Sequence, residues 1–133
     1  MGNLMTIQKF FKYANTEQND LEDVIITDCF DYKTERNGEE GITVRFYIRG
    51  YFIHNGERVK GNESISLRDN GAFGFMTYDR KTYLDMKEYV KERAVDSKKI
   101  DNTQLYLYKG GLYEFDVVNV NSKPWYRIYY SIN

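Results

Sequence analysis

The stretch from Gly41 to His54, GITVRFYIRGYFIH, alternates between two kinds of side chain along most of its length. Such a period of two predicts a β-strand with two different faces. One set of alternate positions is aliphatic or aromatic, namely Ile42, Val44, Phe46 and Ile48. The other set carries arginine and tyrosine, namely Arg45, Tyr47, Arg49 and Tyr51. We expect the first face to pack into a core and the Arg/Tyr face to point outward.

A similar alternation returns near the C-terminal end of the sequence. Trp125, Arg127 and Tyr129 fall on one side of a strand whose other side is Tyr126, Ile128, Tyr130 and Ile132. Guanidinium groups and aromatic rings on an exposed sheet suit single-stranded nucleic acid, because bases stack on rings and arginines meet phosphates. The predicted binding residues are Arg45, Tyr47, Arg49, Tyr51, Phe73, Trp125, Arg127 and Tyr129.

The composition predicts a single, β-rich domain over residues 1–133. Aromatic residues make up 17% of the chain, with 13 Tyr and 8 Phe, and these residue types favour strands and half-buried surfaces. The net charge is −1, from 19 basic and 20 acidic side chains. Attraction to phosphate must therefore come from a local basic face rather than from overall charge.

The cysteine count and hydropathy bear on the compartment. Cys29 is the single cysteine, so an intrachain disulfide is excluded, and its apolar surroundings predict a buried thiol in a reducing cytoplasm. No apolar run reaches the roughly 18 residues of a membrane span, and no signal peptide is visible. We expect a cytoplasmic protein that does not contact a membrane.

The first half of the chain reads as a helix followed by three antiparallel strands. Apolar residues at helical spacing predict a short N-terminal helix within residues 1–15, which could pack on the rest of the chain or serve in a homo-oligomer. The β-branched run from Leu21 to Lys33 predicts a strand. Asn37-Gly38 and Asn55-Gly56 predict tight hairpin turns, Gly50 a bulge, and residues 64–67 a third strand.

The second half reads as a loop, a helix and further strands. The glycine-rich segment Asn70–Phe75 predicts a loop with exposed phenylalanines. Asp79 is suited to cap a helix over about residues 80–95, and Val95–Asn102 reads as a charged exit loop. Strands are predicted over 105–108, 112–120 and 125–132.

Over residues 21–132 the predicted order is three strands, a helix, then two or three strands. This order resembles that of small OB-fold single-stranded DNA-binding proteins, including phage-encoded ones. The resemblance rests on element order and on the Arg/Tyr strand. It implies a β-rich α+β chain folded as a small antiparallel barrel, with one helix between strands 3 and 4. The acidic C-terminal tail of the bacterial type is absent from the sequence.

The sequence thus predicts non-enzymatic binding of single-stranded DNA or RNA, without a cofactor. Catalysis and metal binding are not expected, because His54 is the single histidine and lies at a hairpin end. Alternatively, the tyrosines cover the sheet and the arginines pair with carboxylates. The rival function is a protein-binding module, such as a phage or mobile-element inhibitor of a host protein, since Tyr, Trp and Arg are also enriched at protein interfaces.

Overall fold

The computed structural model describes residues 5–27, 32–37, 43–54, 56–68, 72–120 and 122–132. The helices are α1 (Ile7–Ala14), α2 (Gln18–Thr27) and α3 (Arg80–Arg93). The strands are β1 (Tyr32–Asn37), β2 (Thr43–His54), β3 (Glu57–Arg68), β4 (Phe73–Thr77), β5 (Asp96–Ile100), β6 (Thr103–Tyr108), β7 (Gly111–Val120) and β8 (Lys123–Ile132). The predicted β-rich α+β class is confirmed.

Within the described residues, the eight strands belong to one antiparallel sheet in the order β1-β2-β3-β4-β8-β7-β6-β5. β1 and β5 form its two edges, and the described residues do not pair them with each other. The sheet is therefore not closed, and the predicted OB-like barrel is not confirmed. The helix predicted between the third and fourth strands lies between β4 and β5.

The predicted strand from Leu21 to Lys33 is wrong over its first half, where the structure has α2. Leu21 and Ile25, four residues apart, are both almost fully buried, as one face of a helix requires. The burial of this face outweighs the strand preference of the β-branched residues around it. Cys29 lies outside the described residues.

The antiparallel pairing of the first strands is confirmed. Position 37 pairs with position 43 at the β1–β2 end, and His54 pairs with Glu57 where β2 meets β3. Gly56 has φ of 78°, the left-handed conformation that a tight hairpin turn needs. The register shifts between Arg49 and Tyr51, so the bulge predicted at Gly50 is also confirmed.

Two segments predicted as loops are strands. Phe73 and Phe75 belong to β4, where they pair with Tyr130 and Ile128 of β8 and are 2% and 0% exposed. The expectation that these rings are exposed is wrong, because their period-two spacing places both on the core face. The predicted exit loop contains β5, whose five residues are all exposed at the edge of the sheet.

The helices pack on one face of the sheet. The ring of Phe10 in α1 lies 5.0 Å from that of Phe73 and 6.0 Å from that of Tyr113. The ring of Tyr83 in α3 lies 5.9 Å from that of Phe115. The helices contribute Phe10, Tyr13, Leu21, Ile25, Tyr83, Met86 and Val90 to the same buried core.

The N-terminal helix therefore covers the sheet, and the stripe predicted for α3 from Tyr83 to Val90 is buried as expected. Asp79 precedes α3 as predicted, but its carboxylate accepts a hydrogen bond from the Thr82 hydroxyl rather than from a backbone N–H. Within the described residues, no helix has the length and apolar character that crossing a bilayer requires.

Candidate functional site

The second face of the sheet carries no helix among the described residues, and we call it the open face. Directly paired residues of antiparallel strands share a face, so the register defines its members. The open face contains Met76, Leu105, Leu107, Leu112, Glu114, Asp116, Val118, Trp125, Arg127 and Tyr129. Each of these side chains is only partly buried. A mixture of apolar, aromatic and charged groups is thus presented without a helical cover.

A bidentate ion pair lies near the middle of the open face. The Nε and Nη2 atoms of Arg127 in β8 donate hydrogen bonds of 2.7 Å each to the two carboxylate oxygens of Asp116 in β7. The two side chains retain 28% and 15% of their exposure. The hydrogen bond that the Arg127 guanidinium donates to Asp116 raises the pKa of Arg127, and partial burial lowers it. The charge of Arg127 is therefore largely neutralised within the protein.

Aromatic rings flank this ion pair on both sides. Tyr129 places its ring 5.5 Å from the Arg127 guanidinium. A Cβ atom at Gly74 would lie 2.6 Å from the Tyr129 ring, so only glycine lets this ring lie against β4. Toward the other end of β8, the ring of Trp125 packs on that of Tyr78 with centroids 4.1 Å apart.

A cleft of about 460 Å³ with both signs of charge adjoins the open face. The lining residues are Arg68, Ala72, Phe73, Glu114, Asp116, Arg127, Tyr129, Tyr130 and Ser131. No described residue forms an ion pair with the Arg68 guanidinium or with the Glu114 carboxylate. Among the residues that the structure describes, Arg68 and Glu114 thus accompany the ion pair without a charged partner of their own.

The predicted Arg/Tyr strand, β2, and the predicted C-terminal strand, β8, belong to the same sheet and are separated by β3 and β4. The register pairs Arg45 with Leu67, Tyr47 with Ile65 and Arg49 with Glu63. Positions 63, 65 and 67 continue through β4 to positions 77, 75 and 73, which belong to the helix-covered face. Because the side chains at positions 45, 47 and 49 are not described, binding through them stays a prediction.

The remaining predicted residues have different outcomes. The side chains of Arg45, Tyr47, Arg49 and Tyr51 lie outside the described residues, and Tyr51 pairs with Lys60 beyond the bulge. Phe73 is buried and cannot stack on a base. Trp125, Arg127 and Tyr129 do share a face, as predicted.

Sequence reasoning missed Asp116 and Glu114 on this face and Arg68 in the adjoining cleft. Asp116 and Glu114 alternate with Phe115 in β7, and that spacing is the signal that could have identified the two carboxylates as neighbours. Arg68 is joined to them only through the β3-β4-β8-β7 order. In the part of the chain that the structure describes, no group of three or more His, Cys, Asp or Glu side chains could hold a metal ion.

Comparisons with known proteins provide no relative on which to base a function. No family model, curated protein or solved structure matches this chain.

Proposed function

We propose that this chain is a non-enzymatic protein-binding module whose open face contacts a different protein. The observation that carries the proposal is the pairing of Arg127 with Asp116 between half-exposed aromatic rings. A groove for nucleic acid needs unpaired cations beside its rings. Here the central arginine already has a carboxylate, and a second carboxylate, that of Glu114, lies in the same cleft.

The residue types on the open face support a protein partner. Trp, Tyr and Arg are the residues most enriched among those that dominate binding energy at protein interfaces, and Met is also enriched there. Trp125, Tyr129, Arg127 and Met76 supply all four types on this face. Leu112, Leu105 and Leu107 extend the apolar surface from β7 to β6.

The charges of Arg68 and Glu114 in the cleft specify the chemistry of the partner. We expect Arg68 to pair with a carboxylate of the other protein and Glu114 to pair with a lysine or arginine. We therefore propose a partner surface with an apolar centre and one charge of each sign at its rim. The near-zero net charge of the chain, −1, fits recognition through local complementarity rather than long-range attraction.

The test is capture of partners from lysate of the native host, quantified for four forms of the chain. The forms are the unaltered chain, Arg68→Glu, Glu114→Lys and the control Lys81→Glu. Lys81 lies on α3, away from the open face, and its side chain is 83% exposed. Each captured protein is then purified and titrated against the four forms by calorimetry.

We expect one protein whose affinity falls by at least about tenfold with either cleft variant, since reversing a charge leaves like charges opposed. Lys81→Glu should bind like the unaltered chain. Capture that is equal for all four forms would overturn the proposal. Sedimentation of the purified chain provides a further check. A dimer that the cleft variants dissociate would mean that the open face binds a second copy of this chain rather than a different protein.

Single-stranded nucleic acid is the second candidate, and the packed rings of Trp125 and Tyr78 favour it. Both rings are partly exposed, and stacking on such a platform contributes about 1–3 kcal/mol per base. A sheet curved as in an OB-fold would fit this function. Fluorescence polarisation of labelled oligo-dT against the chain and Trp125→Ala tests it, with salt-sensitive binding that the variant weakens as the supporting result.

A further inference from the structure

A groove on the helix-covered side of the sheet lies between the C-terminal end of α3 and the β5–β6 hairpin. Its volume is about 500 Å³, and it is separate from the cleft of the open face. The lining residues are Lys91, Ala94, Val95, Asp96, Ser97, Gln104 and Tyr106. The groove therefore combines a cation with hydroxyl and amide groups.

Two further lysines belong to the surroundings of this groove. Lys87 is one helical turn before Lys91 on the same side of α3. Lys99 pairs with Gln104 across the hairpin, so it shares a face with Ser97 and Tyr106. Partial burial lowers the pKa of Lys87, and the charges of Lys91 and Lys99 lower it further. The ammonium groups of Lys91 and Lys99 thus lie near that of Lys87.

Tyr106 supplies a buried hydroxyl at the same place. The residue is 4% exposed, and its ring packs on Phe115 with centroids 5.7 Å apart. Burial raises its pKa, with a smaller contribution from Glu88, so the hydroxyl keeps its proton near neutral pH. This hydroxyl forms no hydrogen bond with any described residue, although a buried tyrosine hydroxyl usually has a partner.

Two acidic groups, one in the lining and one nearby, reduce the positive charge around the groove. Asp96 lines it, and one of its carboxylate oxygens accepts a hydrogen bond of 2.8 Å from the backbone N–H of Ser97. Glu88 lies near Tyr106. The charged lining residues are Lys91 and Asp96, and with the neighbouring Lys87, Lys99 and Glu88 the ammonium groups outnumber the carboxylates by three to two.

We propose that this groove binds a small oligophosphate, whose phosphate oxygens take the lysine ammonium groups and the Tyr106 hydroxyl as donors. Phosphate suits the site because its oxygens accept several charge-assisted hydrogen bonds at once. An anion there would also relieve the repulsion between the lysines. The site is independent of the open face and of its proposed protein partner.

Inorganic tripolyphosphate is the probe, titrated into the purified chain by calorimetry at low and at moderate salt, about 20 and 200 mM. The variants are Lys91→Gln/Lys99→Gln, Tyr106→Phe and the control Lys81→Gln, which removes an exposed lysine of α3 that pairs with Asp85 instead. Circular dichroism of each variant checks that it is folded. A parallel titration uses oligo-dT, which presents the same phosphate chemistry along a strand.

We expect tripolyphosphate to bind, more weakly at the higher salt, with about tenfold loss in the double lysine variant and a smaller loss in Tyr106→Phe. Lys81→Gln should bind like the unaltered chain. Absence of binding at low salt, or binding that the lysine substitutions leave unchanged, would overturn the proposal. Lysine-dependent binding of oligo-dT without binding of tripolyphosphate would contradict a small-ligand site.

Discussion

Removing Asp116 should destabilise the chain and release the charge of Arg127. The substitution Asp116→Ala deletes both acceptors of the bidentate pair and leaves a guanidinium that is only 28% exposed. Water can reach this group in part, so the cost should lie between that of a surface pair and that of a buried pair.

The magnitude follows from the geometry. Two unit charges about 4 Å apart attract by about 4 kcal/mol at an effective dielectric constant of about 20. Desolvation of both groups offsets part of this attraction, since exposed pairs contribute up to about 1 kcal/mol and breaking buried pairs costs about 3–5 kcal/mol. We expect Asp116→Ala to lower the free energy of unfolding by about 2 kcal/mol. For 133 residues this corresponds to a Tm lower by about 7 °C.

The assay is a double-mutant cycle in urea, with Asp116→Ala, Arg127→Ala and the combined variant. The account predicts a coupling free energy of about 1–2 kcal/mol between the two side chains, because each single substitution leaves the other charge without its counter-charge. Arg127→Ala also removes the contact with the Tyr129 ring, which the cycle cancels. A coupling free energy under about 0.3 kcal/mol would refute the reasoning, since Arg127 would then be a solvated cation available to phosphate.

Three further outcomes are expected. Gly74→Ala should cost about 1–3 kcal/mol because its Cβ meets the Tyr129 ring, and chemical denaturation should show that adding Tyr129→Ala recovers part of this loss. Phe10→Ala should cost about 3–5 kcal/mol in the same assay, because its ring is fully buried against Phe73; a cost under about 1 kcal/mol would mean that α1 does not cover the sheet. Burial raises the pKa of the Tyr83 hydroxyl from 10.0 to about 12. The stabilisation that the protonated side chain contributes is therefore complete below pH 10 and is lost as the pH rises toward 12. The free energy of unfolding of Tyr83→Phe should therefore fall less steeply above pH 10 than that of the unaltered chain, as urea denaturation at several pH values would detect.

The hairpins were predictable because their signals are local. Asn55-Gly56 specifies a tight turn, and Gly50 interrupts an alternating strand, so both features follow from a few neighbouring residues. The alternation of β2 and β8 likewise predicted strands with two unlike faces. Alternation does not specify which face of a strand the helices cover. That choice depends on the register of β2 with β3 and of β3 with β4.

Other features depend on contacts distant in sequence. Leu21 and Ile25 are helical because one side of α2 is buried in the shared core, which the β-branched run around them does not reveal. Phe73 and Phe75 flank a glycine that looked like part of a loop, but this glycine accommodates a ring from β8. Asp116 is eleven positions from Arg127 in sequence and becomes its neighbour through the pairing of β7 with β8.

The most direct test of the central claim, that the open face is the binding surface, is site-specific photo-crosslinking in lysate of the native host. The photoreactive residue p-benzoylphenylalanine replaces Leu105 on the open face or, as the matched control, Leu84 on α3, which is 40% exposed. The account predicts a crosslink to one protein from position 105 and none to that protein from position 84. Equal crosslinking from both positions, or a crosslink from position 84 alone, would contradict it.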